Sequence, residues 1–225
     1  MNSKAKLLTM SVKIKYVDEL DHLITEEQKS GLTSYSKITY INDAIKITET
    51  FSKTRRSNYI TITYFLDATE DKNAILQRYT DKSINSKCDL YFNKQSASNC
   101  HLWDWESYDT DGLIRFRGKM VFNNAHKMLF VCTFDLITGQ LNEGAWKSYY
   151  GNKFENEFDD LLVRVHYDGA GAVESVVDVH GGFGHEESLT LEEFLADPNF
   201  SKVHFPWNQH SYYHSVLPYL PSDIL

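Results

Sequence analysis

Apolar and polar residues alternate with period two in segment after segment of this chain, and no other feature constrains its fold as tightly. Val12, Ile14 and Tyr16 alternate with Lys13 and Lys15, while Ile60, Ile62, Tyr64 and Leu66 alternate with Tyr59, Thr61, Thr63 and Phe65. Ile114, Phe116, Gly118, Met120 and Phe122 interleave with Arg115, Arg117 and Lys119, and Met128, Phe130, Cys132, Phe134 and Leu136 follow the same rule. Val163, Val165 and Tyr167 repeat it later, as do Val173, Ser175, Val177 and Val179. Successive side chains of a strand point to opposite faces, so each run turns one set of residues toward a core. Turn formers separate the runs: Asn42-Asp43, Asp109 to Gly112, Asn123-Asn124, Thr138-Gly139 and Asp168 to Gly171. Residues that tolerate positive φ at such points close tight hairpins. The expectation is a mainly β chain, with α+β as the nearest alternative. It is an antiparallel meander of hairpins forming an open sheet or a sandwich.

Helical signals are few, and two or three short helices are expected. TEDKNAILQRY (69 to 79) offers Thr69 as N-cap, acids at 70 and 71 beside the positive end of the helix dipole, and Ile75, Leu76 and Tyr79 at helical spacing. VDELDHLITEEQKSG (17 to 31) is read as a second helix, ended by Gly31. The third begins at Thr190, which forms a capping box with Glu193 and is flanked by the staple Leu189 with Phe194. Asp197-Pro198 ends it.

With 225 residues, of which 42% are hydrophobic, the chain is long enough for a substantial core. No proline- or glycine-rich linker divides it, and residues 1–225 are taken as one domain. Cys88, Cys100 and Cys132 are odd in number and lack a CxxC arrangement, so they read as reduced, buried thiols of a cytoplasmic protein. The apolar run near the start is broken by Lys13 and Lys15, which argues against a signal segment, and no run approaches a membrane span. The net charge of −8 is unevenly spread, since residues 154–201 carry 12 acids and one base, Arg164. Such a field repels nucleic acid and anionic lipid and steers in cationic partners.

Candidate chemistry is diffuse. HLWDWESYDTD places Asp104 and Glu106 two apart on a strand, with Trp103 and Trp105 on the other side. That arrangement suits a carboxylate pair or a sugar platform, and more commonly an acidic face backed by core tryptophans. In VDVHGGFGHEESLTLEEFL, Gly181, Gly182 and Gly184 lack the spacing of a phosphate loop. His180, His185 and Glu186 form a weak metal set there, and His210 and His214 stand four apart downstream. No nucleophile signature such as GxSxG is present, so a catalytic role is disfavoured and no cofactor is expected. The tail from Phe205 to Pro221 is rich in aromatics. It either folds back over the sheet or offers Trp207, Tyr212 and Tyr213 as rigid contact anchors.

The hairpin run KITYINDAIKITETF (37 to 51), followed by NYITITYFLDATEDKNAILQRY (58 to 79), resembles the immunity proteins that accompany bacterial polymorphic and contact-dependent toxins. The resemblance lies in pattern and character over about a quarter of the chain. It implies a non-catalytic, cytoplasmic antitoxin that neutralises a protein partner, a basic toxin or effector domain, by direct binding. Two acidic patches are the candidate contacts: Asp104, Glu106, Asp109 and Asp111, and Glu155, Glu157, Asp159 and Asp160. The competing readings are a metal-dependent hydrolase using His180, His185 and Glu186, and a carbohydrate-binding β module displaying Trp103, Trp105 and Trp207.

Overall fold

The computed structural model describes residues 10–55, 57–81, 85–150, 161–179, 187–197, 205 and 207–221. In chain order its strands are β1 (Val12–Val17), β2 (Leu23–Ile24), β3 (Ser34–Ile41), β4 (Ala44–Lys53) and β5 (Asn58–Phe65). After α1 (Lys72–Tyr79) come β6 (Ser86–Ala97), β7 (Cys100–Tyr108), β8 (Ile114–Asn123), β9 (Met128–Thr133) and β10 (Ala145–Tyr149). β11 (Val163–Tyr167), β12 (Val173–Asp178) and β13 (Glu187–Leu189) follow, and then α2 (Leu191–Ala196). The thirteen strands form one hydrogen-bonded order, β13-β12-β11-β10-β9-β8-β7-β6-β5-β4-β3-β1-β2. The expected mainly β meander is what the chain adopts. Among the described residues no helix is long and apolar enough to cross a membrane.

Two departures from expectation have local causes. β5 and β6 run parallel, Ile60 to Phe65 beside Ser86 to Tyr91, because α1 carries the chain back to the starting end of β5. Residues 17–31 are not a helix. Asp18 accepts from the backbone N–H groups of Leu20 and His22, Asp21 takes φ +62°, and the segment becomes a turn, β2 and a 3-10 turn over Gln28–Gly31. The side chain of Asp18 has outcompeted helical hydrogen bonding.

Turn chemistry follows one device. Asp109, Asp135 and Asp168 each accept two loop N–H groups, and Gly112, Gly139 and Gly171 then take φ near +70° to +85°. The two-residue Asn42-Asp43 turn, with φ of +50° and +63°, closes β3 on β4. α1 is capped by Asp71, whose carboxylate accepts from the Ala74 N–H, two residues after the expected Thr69. α2 carries the expected capping box between Thr190 and Glu193 and buries Phe194.

The chain falls into two compact units, Met1–Phe92 with Glu106–Arg115, and Asn93–Trp105 with Phe116–Leu225. Each takes two pieces of chain, which is why no linker marks them. In the first unit Ile62, Tyr64, Cys88, Leu90 and Tyr108 form the core, with Ile75, Leu76 and Tyr79 of α1 packed against it. An eight-residue helix is about 12 Å long and about 10 Å across, whereas strands lie about 4.8 Å apart. Helix α1 therefore covers about two strands. The same face of β1, β3 and β4 carries Tyr16, Tyr35 and Phe51, each half-buried, outside that cover.

The second unit has a larger core, and the aromatic tail is part of it. Phe205, Trp207, Tyr212 and Tyr213 are buried together with Phe130, Val163, Val165, Tyr167 and Val176. Along β12, Val173 packs on the core opposite Tyr167, and a bulge then shifts the phase so that Val176, opposite Val165, is the fully buried residue in place of Val177. Within β8, Gly118 leaves room for the Cys132 carbonyl and the Trp105 indole, which any Cβ there would strike.

Lys147 holds the tail to the sheet. Its side chain is fully buried, and its ammonium donates to the carbonyls of Tyr212 (2.5 Å), Ser215 (2.7 Å) and Pro218 (3.0 Å), lying 3.9 Å from the centre of the Tyr212 ring. Three donors meet three acceptors. Burial pushes the ammonium down to about 7, and the three carbonyls oppose that shift because they bond the charged form. Lys147→Met keeps the apolar stem but strands three buried acceptors, so a loss of about 3 kcal/mol in denaturant unfolding is expected. Faster proteolysis between residues 205 and 221 should accompany it. A variant as stable and as resistant as the parent would remove the clasp.

Candidate functional site

Three of the four acids of the first proposed patch are paired inside the protein. Asp104 pairs with Lys119 and accepts from Asn93 (2.9 Å), both within the second unit. In the first unit Glu106 is buried at 5% exposure, pairs with Lys72 and accepts from the Tyr108 hydroxyl. Asp109 binds Arg115 (2.7 Å from Nε) and two loop N–H groups, and Asp111 is exposed. The expectation of a solvated acidic patch at 104–111 is therefore corrected, because neighbouring cations neutralise three of its four members. Glu155, Glu157, Asp159 and Asp160 lie outside the described residues.

The tail anchors are corrected too. Trp207, Tyr212 and Tyr213 are 8%, 2% and 1% exposed, and the tyrosine hydroxyls donate to the carbonyls of Tyr219 and Ser148. They pack rather than project. Trp103 and Trp105, both 9% exposed, make no sugar platform. His214 stacks on Trp207 at 4.7 Å with Nε2 2.8 Å from the Trp207 carbonyl oxygen, and His210 meets the Tyr213 ring edge-on. Among the described residues no group of three or more histidines, cysteines or acids is placed to hold a metal ion. His180, His185 and Glu186 lie outside them. Cys88, Cys100 and Cys132 are buried free thiols, with burial pushing Cys88 up to about 12 and Cys132 up to about 11. Such thiols are poor nucleophiles.

What the first unit does present is a recurring triad of lysine, glutamate and tyrosine. Glu26 binds Lys29 (2.9 Å) and Tyr16 (3.3 Å), Glu70 binds Lys46 and Tyr64 (2.6 Å), and Glu106 binds Lys72 and Tyr108. Each ammonium also lies over its tyrosine ring, at 4.9, 4.9 and 5.7 Å. The lysine neutralises the carboxylate while the hydroxyl fills a second acceptor site, which lets Glu106 lie buried, whereas the Glu26 triad stays at the surface. Sequence reasoning missed these triads, since the partners of Glu70 and Glu106 lie up to 34 residues away.

Where α1 stops covering the sheet, an open hollow of about 590 Å³ remains. Tyr35 and Phe51, directly opposed on β3 and β4, stack at 4.8 Å with 18° between their planes and form one wall. Tyr59, at 36% exposure, also lines the hollow, but its pairing with Ser52 sets its side chain on the opposite face of the sheet from Phe51. Lys53, Asn58 and Asn85 provide polar groups, with the Asn85 amide donating to the Asn58 carbonyl (3.3 Å), and no carboxylate is among the described lining residues. The size suits a bound side chain or small ligand. Among the described lining residues, stacked rings, the Lys53 ammonium and two amides equip it to hold a group, and no acid–base pair converges there. Compared with models of protein families, with curated proteins and with solved structures, the chain matches none.

Glu70 ties Lys46 and Tyr64 to the loop that precedes α1. Burial raises its pKa, but the Asp67 N–H, Lys46 and Tyr64 outweigh that and hold the carboxyl below its ordinary 4.5. A carboxyl depressed by folding stabilises above its unfolded pKa, and that contribution fades as pH falls through the folded value. Glu70→Gln should therefore lower the melting temperature at pH 7, with the gap to the parent closing below about pH 4.5. A gap of the same size at pH 7 and pH 3 would contradict the triad.

Proposed function

We propose that this chain is a non-catalytic protein-binding module, an immunity protein that neutralises a toxin by occupying it directly. The observation that carries the reading is the half-buried aromatic cluster beside α1 on the first unit's sheet, where Tyr16, Tyr35 and Phe51 lead into a hollow that Tyr59 also lines. Aromatic side chains grouped in a partly open recess are the usual anchors of interfaces, because they offer large contact area with few rotatable bonds. The internal pairing of Asp104, Glu106 and Asp109 moves the contact away from electrostatic capture at that patch. The hollow instead receives an apolar or aromatic side chain from the partner, with Lys53 and the two amides binding the adjoining backbone or a carboxylate.

The test is capture of the toxin encoded beside this protein's gene, measured as dissociation rate and as rescue of growth. Tyr59→Ala and Phe51→Ala should each weaken binding about tenfold, mainly by faster dissociation. Loss of the toxin's activity without any complex, or a complex indifferent to both substitutions, would defeat this assignment.

A further inference from the structure

Among the described residues the outer edge of β1 is open from Val12 to Lys15, since β2 pairs only with Tyr16 and Val17. The register with β3 shows which backbone groups are left. The Asn42 N–H donates to the Ser11 carbonyl, which marks Ser11, Lys13 and Lys15 as the residues bonded to β3. Bonded and non-bonded pairs alternate, so Val12 and Ile14 direct their N–H and C=O outward. The Asp18 N–H bond to the His22 carbonyl fits the same alternation, since Tyr16 then faces β2.

The side chains along this edge alternate as well. Met10, Val12 and Ile14 are 66%, 56% and 50% exposed, and Lys13 and Lys15 point to the opposite face, where Lys15 lies 5.2 Å over the Tyr40 ring. Among the described residues no carboxylate pairs with either lysine. Edge lysines normally guard against pairing with a second copy, and here antiparallel self-pairing would set lysine against lysine. An incoming strand with acids at those positions meets no such penalty.

We propose that β1 is a docking edge that adds one extended segment of a protein partner to the sheet, and that the segment alternates apolar residues with glutamate or aspartate. Its backbone bonds Val12 and Ile14, its apolar side chains lie against theirs, and its acids pair with Lys13 and Lys15. This rests on the protein-binding reading above and names a second contact of the same partner.

The test uses the full chain and a fluorescein-labelled peptide, Glu-Val-Glu-Ile-Glu-Val, beside the control Lys-Val-Lys-Ile-Lys-Val. Anisotropy should show the acidic peptide binding at least about tenfold tighter, and amide exchange should slow at Val12 and Ile14 when it binds. The double variant Lys13→Glu with Lys15→Glu, checked for an unchanged melting temperature, should reverse the preference. Equal binding of both peptides, binding that leaves those two amides unprotected, or self-association of the free protein through β1 in sedimentation would each overturn the edge. Capture of the toxin lost in Tyr59→Ala but intact in the lysine variant would remove the edge and keep the binding module. A peptide bound at the edge with no toxin captured would do the reverse.

Discussion

A short helix cannot cover a wide sheet, and most of what is distinctive in the first unit follows from that. α1 shields about two strands, and the core of Ile62, Tyr64, Cys88 and Leu90 lies where it does so. Beyond it the same face continues over β4, β3 and β1, where Tyr16, Tyr35 and Phe51 are half-buried around the Lys37–Glu49 ion pair. Tyr35 and Phe51 cover part of the deficit by stacking on each other, and the hollow is what remains. Partly exposed aromatic surface grouped at a recess is a usual place for a partner to bind.

Lysine is the other recurrent structural element, and it works in two ways. In the first unit three ammonium groups are each matched to a carboxylate and a tyrosine, so charge is neutralised within the triad. In the second unit Lys147 has carbonyl oxygens instead, and it fastens a tail that runs more than sixty residues later in the chain. A buried ion whose hydrogen bonds are complete contributes specificity more than net stability, whereas removing one partner is costly. The tail can therefore be rich in aromatics without projecting them. Its rings close the core, and the lysine fixes their register.

Much of the fold was legible because local rules agreed with one another. The alternation of Val12 to Tyr16, Ile60 to Leu66 and Met128 to Phe134 marked strands, and the Asn-Asp and Asp-to-Gly turns marked hairpins. Thr190 with Glu193 announced a capping box that the structure contains. Local rules failed where a side chain competed with the backbone, as Asp18 does in the 17–31 segment, and where a crossover replaced a hairpin, as between β5 and β6. The hollow had no sequence signature at all, since Tyr35, Phe51, Tyr59 and Asn85 meet only through the pairing of three strands and a loop.

Sequence by itself determined the strands, their turns, the uneven charge and the capping of α2, because each depends on neighbours within a few residues. Tertiary structure decided which of those charges remain free, which aromatics are buried and which strand edge is left unpaired. Those outcomes depend on long-range register and on what lies across the sheet. Glu106 shows the difference: its sequence neighbours are acidic and aromatic, and only the fold brings Lys72 to it.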